Sequence, residues 1–468
     1  YVPINSAYSD DDLAYFIDNA EPKIIVCQDK SLTAVQKCLS DSKTNNSVKI
    51  HDVYHPIYDF KIENNICIED IDNNKYRDDI NWLISSDFIV DEKKYIKSRF
   101  NLDSLFNKKI LNLILLPAGE ACNLDCIYCY EDHDDKKSMK KHHAYTLLEM
   151  IKKSKKDHVH IEYFGGEPML NMNFISFFSD LLKKENISHS GAITTNGTLL
   201  NEDNLDILYS SNIKSFQITL DGPEDIHNSL RVSKSKNINS FSSVYNSLKV
   251  LSKSSYLDIN VILRMNVNEK TIEDFNFDRF TQTIESVIPK DDNRFLLLPK
   301  IISDYSNLNL KEKNSAEEAY CKKSERNKVI SKFEEYIDEN YFSANAQIIS
   351  KKGGYTCYAA NENSLVITPD LYVRKCTVAI DDPINIVGRI SDNGDFIKNN
   401  NFSQWIKDYS DQYCNSCFAQ KTCQGNSCPL ENIRQNQKIC PPLKVDINSL
   451  TNQVVKFYEK KITNSKIK

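Results

Sequence analysis

The chain has 468 residues, with 59 Lys and Arg against 65 Asp and Glu, and a formal net charge of −6. This length exceeds one ordinary hydrophobic core, so we expect two or three domains. The charge balance excludes a general attraction to nucleic acid or to an anionic membrane, and no apolar run is long enough to span a bilayer. Fourteen cysteines without a secretory signal favour metal ligands over disulfides and predict a cytoplasmic protein.

The N-terminal segment begins Tyr1-Val2-Pro3-Ile4-Asn5-Ser6-Ala7-Tyr8 and continues into an apolar strand at 24–26. It resembles an internal segment of adenylate-forming ligases, closest to malonyl-CoA synthetase-like enzymes, over about residues 1–50. The Gly-rich nucleotide loop of those ligases is absent, so the resemblance implies a β–α–β remnant without ligase activity. Residues from about 52 to 94 alternate apolar and polar positions and become helical at 78–84. The N-terminal region 51–109 is therefore expected to hold a small peptide-binding element.

A regular alternation of strands and helices follows over residues 110–305. Apolar runs predict strands at 111–116, 158–164, 191–194, 215–220, 259–265 and 295–298, and periodic segments predict helices at 139–153, 173–184, 202–210, 241–253 and 272–288. Repeated β–α units indicate an α/β fold with a parallel sheet, and six of them indicate a partial (β/α)6 barrel. In such folds the chemistry lies at the carboxyl ends of the strands. Abundant Asn, Lys and Ile are expected to be compositional bias that indicates no mechanism.

Three cysteines follow the first predicted strand at C-x3-C-x2-C spacing: Cys122, Cys126 and Cys129. Three thiolates can hold three irons of a [4Fe–4S] cluster and leave the fourth iron open to a small molecule. A zinc site would want four ligands, and no His follows at ligand spacing. The run resembles the signature of the radical S-adenosylmethionine (radical SAM) superfamily, with Tyr128 expected to pack over the cluster.

Two further motifs end the second and third predicted strands. Gly165-Gly166-Glu167-Pro168 resembles the radical SAM GGEP motif, which implies glycines that allow close backbone approach to a ligand and a Glu167 carboxylate beside the ammonium of the cofactor. Thr195-Asn196-Gly197, preceded by Thr194, resembles the segment near the cofactor ribose. The alternative for the GGEP motif is a plain turn, and the alternative for the Thr194 to Asn196 segment is a polar strand end.

The fourth and fifth strands carry candidate cations. Asp221-Gly222-Pro223, His227 and Arg231 resemble the corresponding stretch of the peptide- and protein-modifying branch of the superfamily. Arg231 could then pair bidentately with the carboxylate of the cofactor, against the alternative of a solvated loop arginine. Arg264 and Asn266 are similar candidates.

A second field of seven cysteines lies near the C-terminus. It resembles the SPASM domain, which implies an outer cluster on Cys414, Cys417, Cys423 and Cys440 and an inner cluster on Cys357, Cys376 and Cys428. One spacing in the dense cysteine run is a residue longer than usual, and Leu371 stands where a Gly is usual. A zinc ribbon is the alternative. We expect a helical linker at 306–352, a SPASM domain at 353–445 and a helical tail at 446–468.

The four remaining cysteines have no partners at ligand spacing and are predicted to be ordinary buried thiols: Cys27, Cys38, Cys67 and Cys321.

The resemblance implies an enzyme that cleaves S-adenosylmethionine reductively and removes a hydrogen atom from its substrate through a 5′-deoxyadenosyl radical. It implies three [4Fe–4S] clusters, S-adenosylmethionine, and a reducing partner such as flavodoxin or ferredoxin. The expected substrate is a ribosomally made precursor peptide, crosslinked through a thioether or carbon–carbon bond.

Three alternatives stay open. An anaerobic sulfatase maturase would carry an Asp directly after the second SPASM cysteine, where this chain has Thr377. A peptide epimerase would need a thiol hydrogen donor, and none can be assigned. A non-catalytic peptide-binding scaffold would not need the intact cysteine triad or Glu167.

Overall fold

The structure is a computed structural model. Side chains are described within 108–131, 137–235, 238–290, 292–303, 320–322, 324–339, 356–414, 425–440 and at 417 and 423, and the backbone also at 24–27 and 49–52. The chain divides into two compact units, one made of Tyr1–Leu105 and Tyr409–Gly425, the other of Phe106–Asp408 and Asn426–Lys468. The predicted helix at 78–84 and the predicted tail at 446–468 lie outside the described residues.

In the first unit, strands β1 (Ile24–Cys27) and β2 (Lys49–Asp52) pair in parallel, with Ile24 opposite Lys49. A parallel pair needs a crossover connection between its strands, as a β–α–β unit has. The proposed origin of this segment in an adenylate-forming enzyme stays a prediction.

The second unit is built on six parallel strands that follow one another across the sheet in chain order. They are β3 (Ile110–Leu115), β5 (His158–Tyr163), β6 (His189–Thr195), β7 (Ile213–Thr219), β9 (Asn260–Val267) and β10 (Phe295–Ile301). A separate two-stranded antiparallel ribbon is formed by β4 (Leu124–Cys126), which follows β3 in the sequence, and β8 (Arg231–Ser233), which follows β7. The prediction of an α/β fold with a six-stranded parallel sheet is confirmed.

The helices between and after these strands are amphipathic. They are α1 (Lys141–Ser154), α2 (Met172–Lys184), α3 (Glu202–Ser210), α4 (Glu224–Leu230), α5 (Ser240–Lys253), α6 (Glu269–Glu273), α7 (Phe277–Glu285) and α8 (Arg326–Glu339). Leu147 and Phe178, on α1 and α2, pack in the same buried core as Val159 and Ile161 of β5. The other face of β5 carries His158, His160 and Glu162 and is polar.

Asparagine side chains begin five of these helices. Asn171, Asn201, Asn239, Asn268 and Asn276 each accept a hydrogen bond from the backbone N–H three residues further along the chain. Such caps satisfy a backbone donor that the first helical turn leaves unpaired. Five of the abundant Asn residues therefore have a structural role as helix caps.

One predicted helix, at 272–288, is two helices in the structure. Helix α6 ends at Glu273, and the Asn276 side chain begins α7 by accepting from the N–H of Arg279 at 2.9 Å. The cap ties the chain into a new first turn, so the apolar periodicity continues while the helix does not.

The second cysteine field contributes strands to the edge of the same sheet. Strand β11 (Ser364–Ile367) pairs in parallel with β3, and β12 (Tyr372–Arg374), β13 (Ile386–Ile390) and β14 (Phe396–Lys398) continue as antiparallel neighbours. Helices α9 (Asn401–Trp405) and α10 (Pro429–Gln435) complete this region. The boundary predicted at 353 stays a prediction.

Leu371 lies in the turn between β11 and β12. Its φ is +61°, in the left-handed region, and its side chain is buried. The usual Gly is thus replaced by a residue that keeps the left-handed turn despite the steric cost.

None of the helices in the part of the chain that the structure describes is long and apolar enough to cross a membrane.

Candidate cofactor site

The three predicted cluster cysteines lie in the loop that leaves the carboxyl end of β3. Cys126 ends β4, and the N–H of Cys129 donates to the Cys126 carbonyl at 3.0 Å in a tight turn. The Cys122 Sγ accepts from the N–H of Leu124 at 3.4 Å. The loop therefore folds back on itself within eight residues and brings the thiols together.

Burial disfavours the thiolate at all three positions, and the charges of neighbouring cysteines add to this effect at Cys122 and Cys129. Burial raises the pKa of Cys122 to about 11, with Glu167 and Cys126 adding negative charge nearby. The pKa of Cys126 and of Cys129 is also raised, first by burial. Buried thiols whose charges repel one another need a positively charged metal centre to become ligands. This donor set fits a [4Fe–4S] cluster bound by three cysteines.

Across the described residues, no group of three or more Cys, His, Asp or Glu side chains is arranged to hold a single metal ion. A cube distributes its cysteine ligands over separate irons, so this finding concerns mononuclear sites.

The glycines of the GGEP turn pack against the cysteine loop. The N–H of Gly166 donates to the Gly119 carbonyl at 3.2 Å, and the N–H of Glu167 donates to the Ala121 carbonyl at 2.8 Å. A Cβ on Gly166 would lie 2.4 Å from the Ala121 oxygen. The close approach predicted toward a ligand is, in this structure, an approach to the backbone that carries Cys122.

Glu167 joins two strand ends. Its side chain is fully buried; Oε1 accepts from the Met169 N–H at 3.0 Å and the Thr195 hydroxyl at 2.8 Å, and Oε2 accepts from the Asn196 N–H at 2.8 Å. Burial raises the pKa of Glu167, and these three donors act against the rise. Both carboxylate oxygens are thus held by donors within the chain, and the predicted place of Glu167 beside the ammonium of the cofactor stays a prediction.

Asn196 connects the third strand end to the cysteine loop. Its Nδ2 donates to Asn123 Oδ1 at 2.8 Å and lies 3.6 Å from the Cys122 Sγ. The Asn123 Nδ2 in turn donates to the Thr198 hydroxyl at 2.8 Å. Sequence reasoning did not identify Asn123 or Thr198; their positions next to a ligand cysteine and a predicted turn are the signals that could have found them.

Arg231 lies in a buried polar network instead of a solvated loop. Its Nη1 donates to the Tyr128 hydroxyl at 2.7 Å and lies 3.8 Å from Asp221 Oδ2, and the Tyr128 hydroxyl donates to Asp221. The Asn266 backbone N–H and Nδ2 donate to Asp221 Oδ1 at 2.8 and 3.1 Å. His227 Nδ1 accepts from the Asp221 N–H at 3.2 Å. The alternative of a solvated loop arginine does not describe Arg231, while the contact of Arg231 with the cofactor and the packing of Tyr128 over a cluster stay predictions.

Arg264 is placed differently. It is half-buried, and its Nε donates to Asn266 Oδ1 at 2.9 Å. No residue in the described ranges is recorded as a hydrogen-bond partner of its terminal nitrogens. Burial raises the pKa of Tyr130, and the Arg264 charge acts against that rise, so the guanidinium lies near the residue that follows Cys129.

A polar row, of which Thr194 but not Glu162 or Gln217 was identified from sequence, joins three neighbouring strands. Thr194 donates to Glu162 Oε1 at 3.0 Å, and Gln217 donates to Thr194 at 3.4 Å. Burial raises the pKa of Glu162. These side chains come from three successive parallel strands, so they line the space below the strand ends.

Residues 116–277 match the family model described as the Radical SAM superfamily. The matched residues contain the cysteine triad, the GGEP turn and Asn196. A cysteine-type anaerobic sulfatase-maturating enzyme of Clostridium novyi (strain NT) is 30% identical over 199 residues, which cover 40% of this chain and 50% of that protein. The radical SAM cyclopropyl synthase TigE of Paramaledivibacter caminithermalis is 24% identical over 256 residues, 44% of this chain and 54% of that protein.

A solved structure, native anSMEcpe with bound AdoMet and Cp18Cys peptide, matches with a TM-score of 0.54 at 18% identity. The match covers 76% of this chain and 97% of that chain, and it shows a shared fold. The chain spans about half the length of the curated relatives it matches. A radical SAM domain implies a [4Fe–4S] cluster and S-adenosylmethionine.

Outside residues 116–277, three cysteines of the second field are close enough for the charge of one to affect the pKa of another. Burial raises the pKa of Cys357 to about 12, and Cys376 and Cys428 contribute to the rise. The Cys357 N–H donates to the Asn426 carbonyl at 3.0 Å, and the Cys376 N–H donates to Asn385 Oδ1 at 2.9 Å. This arrangement fits the trio predicted for an inner cluster.

Lys375 is a buried cation next to this trio. Its Nζ donates to the carbonyls of Asn361 and Ser364 at 2.5 and 2.7 Å. Burial lowers its pKa to about 7, and the Cys357 charge acts in the opposite direction.

The predicted outer cluster has ligands in both compact units. Cys414, Cys417 and Cys423 belong to the first unit, and the Cys417 N–H donates to the Cys414 carbonyl at 3.1 Å. Cys440 belongs to the second unit, so the predicted grouping of all four stays a prediction. Cys321 is buried, as expected of an ordinary thiol; of the other three such cysteines, Cys27 is described by its backbone alone and Cys38 and Cys67 lie outside the described residues.

Proposed function

We propose that this chain is a radical SAM/SPASM enzyme that modifies a ribosomally made peptide by installing a thioether or carbon–carbon crosslink. The observation that carries the proposal is the hydrogen-bonded assembly at the carboxyl ends of the parallel strands. There, the cysteine loop is joined to the GGEP turn through Gly166 and Glu167 and to the next turn through Asn196.

In this proposal, Cys122, Cys126 and Cys129 hold the cluster. When bound, it supplies the electron that cleaves S-adenosylmethionine. The chain itself positions the three thiols: the Leu124 N–H and Asn196 Nδ2 face the Cys122 sulfur, and the ribbon of β4 and β8 fixes Cys126.

We assign the cofactor carboxylate to Arg264 rather than to Arg231. The Arg231 side chain is 7% exposed and is paired with Asp221, whereas the terminal nitrogens of Arg264 have no recorded hydrogen-bond partner among the described residues. Gly165, Gly166, Glu167, Thr195 and Asn196 would then contribute by shaping the turns on which the cofactor rests.

This assignment can be tested by comparing S-adenosylmethionine with its decarboxylated analogue. Arg264→Gln should weaken binding of S-adenosylmethionine about tenfold, because a charge-assisted pair contributes roughly 1.5–3 kcal/mol. It should leave the affinity for the analogue nearly unchanged. If Arg264→Gln weakened both ligands equally, the assignment would be wrong.

We further propose two auxiliary [4Fe–4S] clusters, an inner one on Cys357, Cys376 and Cys428 and an outer one on Cys414, Cys417, Cys423 and Cys440. The mutual electrostatic coupling of the inner trio supports the first of these. A reducing partner such as flavodoxin or ferredoxin and a reducing, cytoplasmic setting follow from the same chemistry.

The relatives named above favour a peptide or protein substrate and bring forward a second candidate, an anaerobic sulfatase maturase. Against it, the position after Cys376 is Thr377, whose hydroxyl and N–H are bonded to the Tyr358 hydroxyl at 3.0 and 2.9 Å. A threonine so engaged cannot replace a carboxylate base.

The proposal is tested by incubating iron-loaded protein with dithionite, S-adenosylmethionine and any short peptide encoded beside its gene. Formation of 5′-deoxyadenosine, with a peptide that has lost two hydrogen atoms, would support a crosslinking maturase. A peptide in which a cysteine thiol group has been converted to an aldehyde would favour the sulfatase maturase. Ala at Cys122, Cys126 and Cys129 should abolish 5′-deoxyadenosine, whereas Cys321→Ala should not; turnover by the triple variant would exclude the proposed cluster site.

A further inference from the structure

The residue opposite Cys126 in its ribbon is a cation. In the antiparallel pairing of β4 with β8, Cys126 faces Arg231 and Leu124 faces Ser233. The N–H of Ile127 donates to the Leu230 carbonyl at 3.0 Å and extends the connection. The register therefore fixes the backbone of Arg231 beside the middle cysteine.

The Arg231 charge is incompletely compensated. Its side chain is 7% exposed, and its Nε is buried without a hydrogen-bond acceptor among the described residues. The carboxylate of its ion pair, Asp221, is fully buried and shares its oxygens with the Tyr128 hydroxyl and two N–H groups of Asn266. Asp221 is thus held by donors other than the guanidinium.

Arg231 and Asp221 place opposite charges beside Cys126. Residues directly opposite each other in an antiparallel pair have Cβ atoms about 4.5–5.5 Å apart. The Arg231 side chain therefore starts next to Cys126, and its Nη1 lies 3.8 Å from Asp221 Oδ2. Charges this deeply buried are poorly screened by salt. A nearby cation favours the state with more electrons, and the potentials of iron–sulfur clusters respond to local charge.

We propose that Arg231 is a positioning residue whose fixed charge raises the reduction potential of the cluster held by Cys122, Cys126 and Cys129, and that Asp221 opposes it. This inference rests on the proposed function, because it requires a cluster at those cysteines. It gives Arg231 an electrostatic role in place of a contact with the cofactor.

The test is an EPR-monitored redox titration of the iron-loaded protein, following the signal that changes when S-adenosylmethionine is added. Asp221→Asn should raise the midpoint potential, with a roughly tenfold change in the reduction equilibrium, which is 59 mV for one electron. Arg231→Gln should shift it in the opposite direction. A merely structural role would not reverse the sign between two members of one ion pair.

A matched control is available in the pair of Arg294 and Asp292. Their side chains are also mostly buried, with Nη2 to Oδ2 at 2.7 Å, and they lie by the start of β10, at the opposite ends of the strands from the cysteine loop. Arg294→Gln should leave the potential unchanged.

Shifts of the same sign in Asp221→Asn and Arg231→Gln, or no shift in either, would overturn the inference. If the Arg231→Gln variant does not retain its iron, the Asp221→Asn variant alone is informative. A higher midpoint potential in that variant supports the inference, and a lower or unchanged potential refutes it. Failure of the proposed function is recognised separately, by the absence in the unsubstituted protein of any signal that responds to S-adenosylmethionine.

Discussion

Glu167→Gln is the substitution whose consequence follows most directly from the structure. The carboxylate accepts at Oε1 from Met169 and Thr195 and at Oε2 from Asn196. A glutamine keeps one acceptor oxygen, so if it serves Met169 and Thr195, its NH₂ group faces the Asn196 N–H. Two buried donors then face each other, at a cost of about 1–3 kcal/mol.

The assay is thermal unfolding of iron-loaded protein combined with equilibrium binding of S-adenosylmethionine. At about 2–4 °C per kcal/mol for domains of 150–250 residues, the variant should melt several degrees lower. Because the bond from Asn196 is lost, the turn beside the ligand shifts and binding weakens about tenfold, as expected for a lost charge-assisted bond of roughly 1.5 kcal/mol or more. Iron content should stay constant.

Glu162→Gln provides the control, because the Glu162 carboxylate accepts from Thr194 alone among recorded donors and an amide oxygen can replace it. It should melt close to the unsubstituted protein. Weaker binding by Glu167→Gln at an unchanged melting temperature would mean that the carboxylate contacts the ligand directly. An unchanged melting temperature and unchanged binding would refute any connecting role.

Three other outcomes are expected. Gly166→Ala should lower iron loading, since the added Cβ would lie within 2.4 Å of two carbonyl oxygens of the cysteine loop; full loading would show that the loop can shift. Burial holds the pKa of His227 well below its usual value. Below about pH 6.5 the unfolded chain therefore binds a proton at His227 that the folded chain does not, and the free energy of unfolding decreases as the pH is lowered. His227→Asn should flatten this dependence between pH 5 and 6.5, whereas the exposed His142→Asn should not; identical melting curves for both would contradict it. Deleting residues 1–50 should leave 5′-deoxyadenosine formation at a comparable rate, and its loss in a soluble, iron-loaded truncation would place that segment in the working enzyme.

The parallel sheet and the position of each motif could be predicted because both depend on local patterns. Apolar runs with the period of a buried strand alternate with helical segments, and each polar motif follows a strand, so the motifs had to meet at one edge. Glu167 and Asn196 are brought together this way, although they are separated by a whole helix in the sequence.

The roles of the two arginines could not be predicted from local pattern. Arg231 is buried because Asp221 and Tyr128 provide its partners, and Tyr128 lies 103 residues away in the sequence. Arg264 keeps its terminal nitrogens available because its neighbour Asn266 bonds only its Nε. Both residues are cations near strand ends, and only the three-dimensional arrangement of their partners separates them.

Helix ends and glycine contacts show the same limit. The break before α7 depends on the Asn276 side chain turning back onto the backbone, which competes with a continuous apolar period. Gly166 was predicted to allow a close approach to a ligand, and the sequence did not show that the backbone before Cys122 also packs against it.

The central claim is that Cys122, Cys126 and Cys129 hold a cluster that binds S-adenosylmethionine, and iron analysis with EPR tests it most directly. The intact protein should bind about twelve irons in three cubes, and its reduced spectrum should change on addition of S-adenosylmethionine. Ala at all three positions should leave about eight irons and a spectrum that no longer responds. About four irons in the intact protein, zinc in the C-terminal cysteines, or a response that survives the triple substitution would contradict the account.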